Sequence, residues 1–491
     1  MAFNRAPTVD TYSADRVSLF REIALRDGGA SGKDEDYVNV FMEIVKQGKA
    51  NDQRRFIMKR AGSSQVLASV AASNVRGMFY WADQSKLYYS VGRNVYVYNV
   101  DTAVTTTLSN VFATSTGDVG FCEFLYTNGS VKIIASDGSA VSGLISIDTA
   151  NTVATSSDVD LPAHLPNPIF LDGYLFIARK NSAEIWNSVI NDPFSWDPVT
   201  FITTEMEADL IVDLVKLNNY LVAFGKETIE YFWDAANVAP DSPLQRNDTP
   251  IKINQYLAGL SKYGNQVYYI GKDAGGQPDV FMMKDFQVKS IASNSITRYL
   301  TDSSSNIDTW TGNVVSFQGH TFYLINAGSN KTWLIDLDTE LATRIAYQKG
   351  ATFPMLQSLT ISGNTNRSFF TLNNSSSAIY VFNGSVYQDN GVNFTCTLTT
   401  EGNDFGTMNR KTMSRFAIMG DRPPANSNLT IQWSDDDFQT LNAGVDVNMN
   451  QDLPSVRQLG SFRQRIFKLS YTDNFPLRIQ DIEVTINKGA S

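Results

Sequence analysis

The sequence predicts an all-β protein: a β-propeller of six or seven blades, preceded by an N-terminal extension and followed by a C-terminal β-sandwich. One observation is a strand-turn-strand unit, clearest at residues 221–232, where two apolar runs flank Gly-Lys-Glu. This unit recurs about every 45 residues, which is the period of a propeller blade. After Asn393 the repeat stops while alternating strands continue, which indicates a second β domain.

Residues 1–60 form the predicted N-terminal extension. Ser13 is placed to cap a short helix, and Asp27-Gly-Gly is placed to end it. The apolar side chains that would share one face of this helix are Val17, Phe20, Ile23 and Ala24. From Met78 onward, strand patterns dominate instead.

Residues 61–391 form the predicted propeller. Its most apolar strands start at intervals of 43 to 55 residues. Seven such strands leave six or seven blades open, because one strand could belong to a closing or inserted hairpin. Closure of the ring would remove free sheet edges, which suits a chain rich in aromatic and β-branched strands. The seven strands begin at Leu87, Val131, Tyr174, Tyr220, Val267, Phe322 and Phe369.

Two stretches interrupt the repeat. Residues 182–210 contain two tryptophans and two prolines, and we interpret them as a long irregular crossing between blades. Residues 233–252 are rich in Pro, Asp and Asn and are predicted to form a loop long enough to be functional.

Residues 392–491 form the predicted β-sandwich. Five apolar runs of alternating pattern are separated by turn residues, as expected for short antiparallel strands. These runs begin at Phe394, Ser414, Leu429, Arg465 and Ile482.

Length and composition set broad limits. A chain of 491 residues is long enough for two or three domains. It has no run of about 18 apolar residues, so we expect no membrane-spanning helix. The N-terminus carries charges throughout and no apolar signal-peptide stretch, so we expect a protein that acts without such a signal.

The net charge of −10 is unevenly distributed. Residues 1–60 hold 11 basic and 9 acidic residues, and residues 392–491 hold 10 and 11. The stretch between them therefore has a balance of −11. Tight binding of a phosphate backbone needs clustered basic groups, so this acidic body would face DNA as a repelling surface.

Catalytic and cofactor motifs are not found. Only His164 and His320 are present, which disfavours triads and histidine-rich zinc sites, and no glycine-rich nucleotide-binding motif occurs. Cys122 and Cys396 are expected to be buried, reduced thiols. We therefore predict no enzyme, assign no catalytic, cofactor-binding or metal-ligating residue, and expect no cofactor.

Three acidic groups are candidate sites. Residues 435–437 (Asp-Asp-Asp) resemble a degenerate Asp-box turn, with a calcium site as the alternative. Glu227 and Glu230 lie close in sequence, and Glu205, Glu207 and Asp209 alternate. Either set could supply a glycosidase carboxylate pair, but in so acidic a chain a solvated rim is the favoured interpretation.

Several segments resemble the packaged-DNA stabilisation proteins of short-tailed phages, also called tail-nozzle or tail-hub proteins. The first are DYVNVFME at 36–43 and FIMKRAG at 56–62. The most specific stretch runs from Leu221 through EYF at 230–232 to VKSIAS at 288–293 and Ile296. Shorter matches are WD at 196–197, FITTE at 201–205, DLI at 209–211, RQRIFKL at 463–469 and LRI at 477–479.

This resemblance implies a virion structural protein that is assembled in the host cytoplasm. Family members form a ring, commonly a hexamer, below the portal and its adaptor proteins, and this ring continues the DNA channel. The ring helps to retain packaged DNA until ejection and supports distal tail parts such as a needle, fibre or tailspike. Double-stranded DNA would pass through the lumen without sequence-specific binding.

One alternative is a glycan-binding or glycan-cleaving propeller that acts in receptor recognition and has aromatic platforms beside converging carboxylates. Another is a bacterial surface propeller, which the missing signal peptide disfavours. If a ring forms, the near-neutral ends of the chain are expected to hold it together, because acidic propellers repel each other. The basic residues proposed to pair with acidic surfaces of a neighbour are Arg54, Arg55, Lys59, Arg60, Arg463, Arg465 and Lys468.

Overall fold

The computed structural model describes residues 36–46, 53–204, 209–247, 251–253, 255–328, 330–361 and 367–488. The helix expected between Ser13 and Asp27 lies outside these residues. The described chain divides into two compact units. The propeller unit comprises Ser64–Glu340 and Thr352–Phe382, and the sandwich unit comprises the described residues up to Ser63, Leu341–Ala351 and those from Asn383 onward.

The chain starts with four strands that belong to sheets completed much later in the sequence. They are β1 (Asp36–Val38), β2 (Val40–Lys46), β3 (Gln53–Lys59) and β4 (Gly62–Leu67).

Seven antiparallel sheets follow in sequence order and form the blades of the propeller unit. The first blade contains β5 (Gly77–Trp81), β6 (Lys86–Val91), β7 (Asn94–Asn99) and β8 (Val104–Leu108). The second contains β9 (Gly120–Leu125), β10 (Val131–Ser136), β11 (Leu144–Ile147) and β12 (Val153–Thr155). The third contains β13 (Ile169–Leu171), β14 (Tyr174–Ala178), β15 (Glu184–Val189) and β16 (Asp192–Thr203).

The fourth blade contains β17 (Ile211–Leu217), β18 (Tyr220–Gly225) and β19 (Thr228–Asp234), with β20 (Leu244–Arg246) and β21 (Ile251–Lys252) both paired to β19. The fifth contains β22 (Gln255–Tyr263), β23 (Gln266–Lys272), β24 (Pro278–Lys284) and β25 (Gln287–Ser290). Helix α1 (Asn294–Asp302) follows and contacts β24. Short 3₁₀ turns occur at Ala82–Gln84 and Ser304–Thr309.

The sixth blade contains β26 (Thr311–Phe317), β27 (His320–Asn326) and β28 (Thr332–Asp336), after which β29 (Ala342–Arg344) falls in the sandwich unit. The seventh contains β30 (Met355–Ile361), β31 (Arg367–Leu372) and β32 (Ile379–Asn383). Its fourth strand is β4, which pairs with β32 although the two are separated by most of the chain.

The ring closes between the seventh and first blades. β30 contacts β5, just as β5 contacts β9 and β26 contacts β30, so the first strand of each of these blades faces its neighbours. One apolar cluster spans the closing junction, with Leu67 and Phe369 from the seventh blade and Leu87 and Tyr89 from the first. Pairing the last blade with a strand from the start of the propeller joins both ends of the ring.

The strands are apolar on both faces because each blade lies between two others. In β18, five successive residues from Leu221 to Gly225 are buried. Leu221 and Ala223 join the cluster shared with the third blade, whereas Val222 and Phe224 join the cluster shared with the fifth. This explains why the strongest strands of the repeat read as continuous apolar runs.

The all-β propeller predicted from the sequence is confirmed, with seven blades. All seven repeat-marking runs lie in the second strand of a blade, from β6 at Leu87 to β31 at Phe369. The interpretation of residues 182–210 as an irregular crossing was wrong. Most of that stretch forms β15 and the twelve-residue β16, whose register with β15 shifts at Ser188 and thereby accommodates the two prolines.

The sandwich unit contains two sheets around one core. Its later strands are β33 (Gln388–Asp389), β34 (Val392–Asn393), β35 (Cys396–Thr399), β36 (Lys411–Gly420), β37 (Asn428–Ser434), β38 (Val445–Asn448), β39 (Ser455–Arg457), β40 (Ser461–Phe462), β41 (Ile466–Tyr471) and β42 (Arg478–Lys488). One sheet has the order β29-β1-β35-β41-β37-β38 within this unit. The other has the order β2-β3-β42-β36-β39, and β40 also pairs with β36.

Residues 36–38, 40–46 and 53–59, which the sequence analysis placed in an extension, are strands of this sandwich. β1 pairs with β35 through Tyr37 and Leu398, and β3 pairs with β42 through Ile57 and Ile479. Both sheets therefore combine strands from the two ends of the chain. Among the described residues, no helix is long and apolar enough to cross a membrane.

Candidate functional site

A buried ion pair joins three segments of the sandwich unit. Arg60 Nη2 lies 2.5 Å from Asp389 Oδ2, Arg60 Nη1 lies 3.0 Å from Asp389 Oδ1, and both side chains are almost completely buried. The same guanidinium donates to Asn39 Oδ1 at 2.8 Å and to the Ala346 carbonyl at 2.8 Å. Asp389 also accepts the Gln348 amide at 2.9 Å. Each charge is hydrogen-bonded, which is the condition under which buried ions are tolerated.

Lys59 lies in the same core among aromatic rings. Its Nζ donates to the Asp473 carbonyl at 2.7 Å and lies 4.6 Å from the centre of the Phe394 ring and 5.2 Å from that of Tyr471. Burial lowers the pKa of Lys59 from 10.5 to about 8. Burial also raises the pKa of the neighbouring Cys396 thiol to about 12, which keeps that thiol protonated.

Arg465 is another buried cation of the sandwich unit. Its Nε and Nη2 donate to the two carboxylate oxygens of Asp435 at 2.7 and 2.8 Å, and its guanidinium carbon lies 4.1 Å from the centre of the Phe462 ring. The proposal that Lys59, Arg60 and Arg465 pair with a neighbouring molecule was therefore wrong, because all three are held inside the sandwich core. Of the other candidates, Arg463 is exposed, Arg55 and Lys468 are half-buried, and the Arg54 side chain lies outside the described residues.

The Asp435–Asp437 cluster is a hairpin turn. Asp436 Oδ1 accepts the Ser434 hydroxyl at 2.7 Å and the Thr440 amide at 2.9 Å, while its Oδ2 accepts the Thr440 hydroxyl at 2.6 Å. These hydrogen bonds, with those from Thr440 first, lower the pKa of Asp436. Asp437 and Phe438 have left-handed φ values of 60° and 64°. In the described ranges, no group of three or more His, Cys, Asp or Glu side chains could hold a metal ion.

Glu227 and Glu230 lie in different environments, and the interpretation as a solvated rim is wrong for Glu230 and for Asp209, because both are buried. Glu227 is exposed at the turn between β18 and β19, whereas Glu230 is buried 3.6 Å from Arg246 Nη1. Asp209 accepts the backbone amides of residues 226–228 at 2.6 to 3.0 Å and so fixes this turn. Glu205 and Glu207 lie outside the described residues.

Both histidine rings lie within hydrogen-bonding distance of other protein groups. His164 is buried with Nε2 2.7 Å from the Ser136 hydroxyl and Nδ1 2.8 Å from the Pro162 carbonyl oxygen, and burial lowers its pKa. His320 Nδ1 lies 2.9 Å from Asp336 Oδ2, and the other oxygen of Asp336 accepts the Asp338 amide. Burial raises the pKa of the Cys122 thiol strongly.

An open cleft of about 540 Å³ lies on the propeller unit where the third and fourth blades meet. Turns and strand ends supply its lining. Asp172 and Gly173 form the two-residue turn between β13 and β14, and both have positive φ, as a type I′ turn requires. The lining residues are Asp172, Asn218, Asn219, Tyr220, Trp233 and Asp234.

The aromatic and polar parts of the cleft are held in place by the fourth blade. Tyr220 and Trp233 are opposite each other in the β18–β19 ladder, and Trp233 remains 40% exposed. Asn218 and Asn219 form the turn between β17 and β18, where Asn218 has a φ of 52°. Asparagine tolerates this left-handed conformation better than most residues.

The polar side chains of the cleft are largely unused by the fold. Within the described chain, the side chains of Asp172, Asn218 and Asn219 form no hydrogen bond with the protein. Asp234 uses Oδ1 to accept the Ala236 amide at 2.7 Å. Of the segments that line the cleft, the sequence predicts the loop that begins at Trp233. The cleft itself is not predicted, because Asp172 lies about 60 residues before Trp233 and reaches it only through blade packing.

The comparison with protein families agrees with the propeller fold. The family profile described as "Bacteriophage P22 Gp10, beta-propeller" matches residues 21–346. No protein of curated function matches the chain. The similar solved structures include the N-terminal domain of Nup159, which is 12% identical, has a TM-score of 0.37 and covers 72% of this chain and 100% of its own.

Two further structures are equally distant. The Neurospora crassa Pan2 WD40 domain is 9% identical with a TM-score of 0.40, covering 66% of this chain and 95% of its own. A chain of the mitotic checkpoint complex is 11% identical with a TM-score of 0.41, covering 69% and 96%. These structures resemble the chain only weakly, whereas the family profile covers most of the sequence. The chain therefore belongs to the Bacteriophage P22 Gp10 β-propeller family of packaged-DNA stabilisation proteins.

Proposed function

We propose that this protein is a tail nozzle, or hub: it forms a ring below the portal–adaptor complex, continues the DNA channel and helps to retain packaged DNA until ejection. The observation that carries the proposal is the family match over residues 21–346, which spans six of the seven blades. We further propose that the ring is a hexamer in the virion tail. Its partners would be head–tail adaptor proteins above and a needle, fibre or tailspike protein below.

The charge distribution supports a channel wall. The stretch between residues 60 and 392 carries a net charge of −11. Its electrostatic field therefore opposes adhesion of DNA to its surface. At physiological salt this repulsion reaches about 8–10 Å. Double-stranded DNA would pass through such a lumen without sequence-specific contacts, because specific or tight binding needs clustered basic groups.

A structural role without catalysis agrees with the side-chain geometry. Glu227 and Glu230 differ in burial, and the buried Glu230 lies beside Arg246. The rings of His164 and His320 form hydrogen bonds with the side chains of Ser136 and Asp336, respectively. A glycan-cleaving propeller, the alternative from the sequence, would need two carboxylates converging on one bond. No such pair was found among the described candidates.

Electron microscopy of the purified full-length protein tests this proposal. We expect closed rings with a central hole, and six copies per ring by native mass measurement. Added to DNA-filled heads that lack this protein, it should reduce DNA leakage, whereas heads without it should continue to leak. A monomer at every concentration that also fails to bind these heads would contradict the proposal. Robust glycan hydrolysis lost in Glu230→Gln would favour the alternative.

A further inference from the structure

The cleft between the third and fourth blades has the composition of a ligand site rather than of ordinary surface. Trp233 is 40% exposed beside Tyr220, and four polar side chains surround the two rings. Three of these, at Asp172, Asn218 and Asn219, form no hydrogen bond within the described part of the protein. Pockets that bind small ligands usually combine aromatic surface with a few unpaired polar groups.

We propose that this cleft binds a neutral saccharide. Hydroxyl groups both donate and accept hydrogen bonds, which matches a lining of carboxylates that only accept and amides that do both. The exposed face of Trp233 offers an apolar surface for the C–H face of a pyranose ring, and Tyr220 offers a second ring with a hydroxyl at its tip. This function is separate from ring formation and concerns binding without cleavage.

The charge of the lining decides between ligand classes. Two of the six lining residues are aspartates and none is Lys or Arg, so acidic sugars and phosphates would be repelled. A lysine or arginine side chain would satisfy the aspartates and could stack on Trp233. It brings donors only, however, and would leave the amide N–H groups of Asn218 and Asn219 without acceptors. A neutral polyhydroxylated ligand satisfies both types of group.

The cleft volume of about 540 Å³ falls within the range of small-molecule sites, roughly 300–1,000 Å³. Because it is open to solvent, we expect weak binding, with dissociation constants of about a millimolar. The neighbouring turns at Asp172-Gly173 and Asn218-Asn219 are short two-residue hairpin turns, so the polar groups are held in place before the ligand arrives.

The test titrates the full-length protein with three neutral probes, maltotriose, mannotriose and galactotriose, each to about 10 mM, followed by tryptophan fluorescence and ligand-observed NMR. Tri-lysine and sialyllactose serve as cationic and anionic probes. The variants are Trp233→Ala, Asp172→Asn and Asn218→Asp. The last two keep residues that tolerate left-handed φ and therefore preserve the turns. The matched controls are Leu441→Ala, at 39% exposure, and Asp101→Asn in an exposed turn of the first blade.

Saturable binding of at least one neutral trisaccharide, weakened tenfold or more by Trp233→Ala and severalfold by Asp172→Asn and Asn218→Asp, would support the proposal. The two controls should bind like the unchanged protein. The proposal is overturned if no neutral probe binds, if the variants bind like the controls, or if tri-lysine alone binds. Ring formation by Trp233→Ala, checked by electron microscopy, should be unchanged, which separates this result from a failure of the nozzle proposal.

Discussion

Three of the buried cations of the sandwich unit, Lys59, Arg60 and Arg465, are each compensated in a different way. Arg60 has a carboxylate and several carbonyls, Arg465 has a carboxylate and aromatic faces, and Lys59 has a carbonyl and aromatic faces. Transferring a charge from water to the protein interior costs several kcal/mol. If one partner of a buried charge is lost, this desolvation free energy is no longer offset. A substitution at each of these three sites therefore tests a different way of stabilising a buried charge.

Asp389→Asn should destabilise the sandwich unit by about 3–5 kcal/mol, because it leaves the buried Arg60 cation without a countercharge. For a unit of this size, that corresponds to a fall in melting temperature of roughly 10 °C, measurable by calorimetry. The control is Glu340→Gln, which breaks a pair with Lys289 whose side chains are 45% and 56% exposed. Its effect should stay below about 1 kcal/mol. Equal melting of both variants would contradict the argument.

Lys59 should contribute an increase in the stability of the sandwich unit as pH rises between about 8 and 9.5. Its folded pKa of about 8 lies below 10.5, so in this window the unfolded chain binds more protons than the folded one. The slope should be at most about 1.4 kcal/mol per pH unit. From about pH 9 Cys396 acts in the opposite direction, since burial raises its pKa from 9.0 to about 12, and above pH 10 the tyrosines do so as well, since burial raises the pKa of Tyr471 to about 12. The contribution of Lys59 is therefore the difference in slope between the protein and a variant that lacks this lysine.

The measurement is the melting temperature of the sandwich transition at pH 7.5, 8.5 and 9.5, compared with Lys59→Met. The variant loses the hydrogen bond to Asp473, so its absolute stability will differ and only the slopes are compared. A parallel rise in both proteins would assign the pH dependence to other groups.

At the scale of elements, close backbone approach fixes how neighbouring blades meet. Gly77 is the first residue of β5, and a Cβ there would lie 1.9 Å from the Val119 carbonyl oxygen just before β9. Gly120 is the first residue of β9, and its Cβ would lie 2.0 Å from the Pro166 carbonyl oxygen just before β13. Two successive junctions therefore use glycine where an inner strand begins.

Gly120→Ala should destabilise the propeller unit by about 1–3 kcal/mol, because the opposing atoms are backbone and cannot move aside cheaply. Gly384→Ala is the control, since no atom lies within 4 Å of its added methyl group. The control should be neutral or stabilising by up to about 1 kcal/mol through reduced freedom of the unfolded chain. Differential scanning calorimetry distinguishes the two. An unchanged propeller transition in Gly120→Ala would show that the junction can relax.

The sequence predicted elements well where the signal is local and poorly where pairing is distant. The seven runs from Leu87 to Phe369 were found because each is apolar on both faces. The pairing of β4 with β32 was not predicted, since nothing in the residues 62–67 specifies a partner about 310 residues away. The role of Arg60 was also missed, because a basic residue in sequence looks the same whether it meets Asp389 or solvent.

At the scale of the whole molecule, the sandwich unit takes strands from both ends of the chain. Deleting residues 1–60 would remove β1, β2 and β3 together with Arg60, and deleting residues 392–491 would remove most strands of both sheets. Either deletion would unfold the unit whether or not it mediates assembly. Point substitutions of exposed basic residues therefore test the role of the ends more directly.

Arg463→Glu should weaken ring assembly if the near-neutral sandwich unit supplies contacts between copies of the acidic propeller. Arg463 is exposed, and its guanidinium is held by one hydrogen bond of 2.8 Å to the Met408 carbonyl, so the substitution should leave the fold intact. An exposed ion pair contributes about 0–1 kcal/mol, so each lost contact should raise the protein concentration needed for assembly up to about fivefold.

The matched control is Lys180→Glu, which makes the same charge change at an exposed position of the propeller unit. Ring assembly is followed by sedimentation and electron microscopy, and genome retention by DNA leakage from reconstituted heads. Because the acidic propellers repel each other, higher salt should assist assembly of both proteins while narrowing the difference between them. If Arg463→Glu assembles at the same concentration as Lys180→Glu at low salt and retains DNA equally well, contacts between copies do not rest on this part of the sandwich unit.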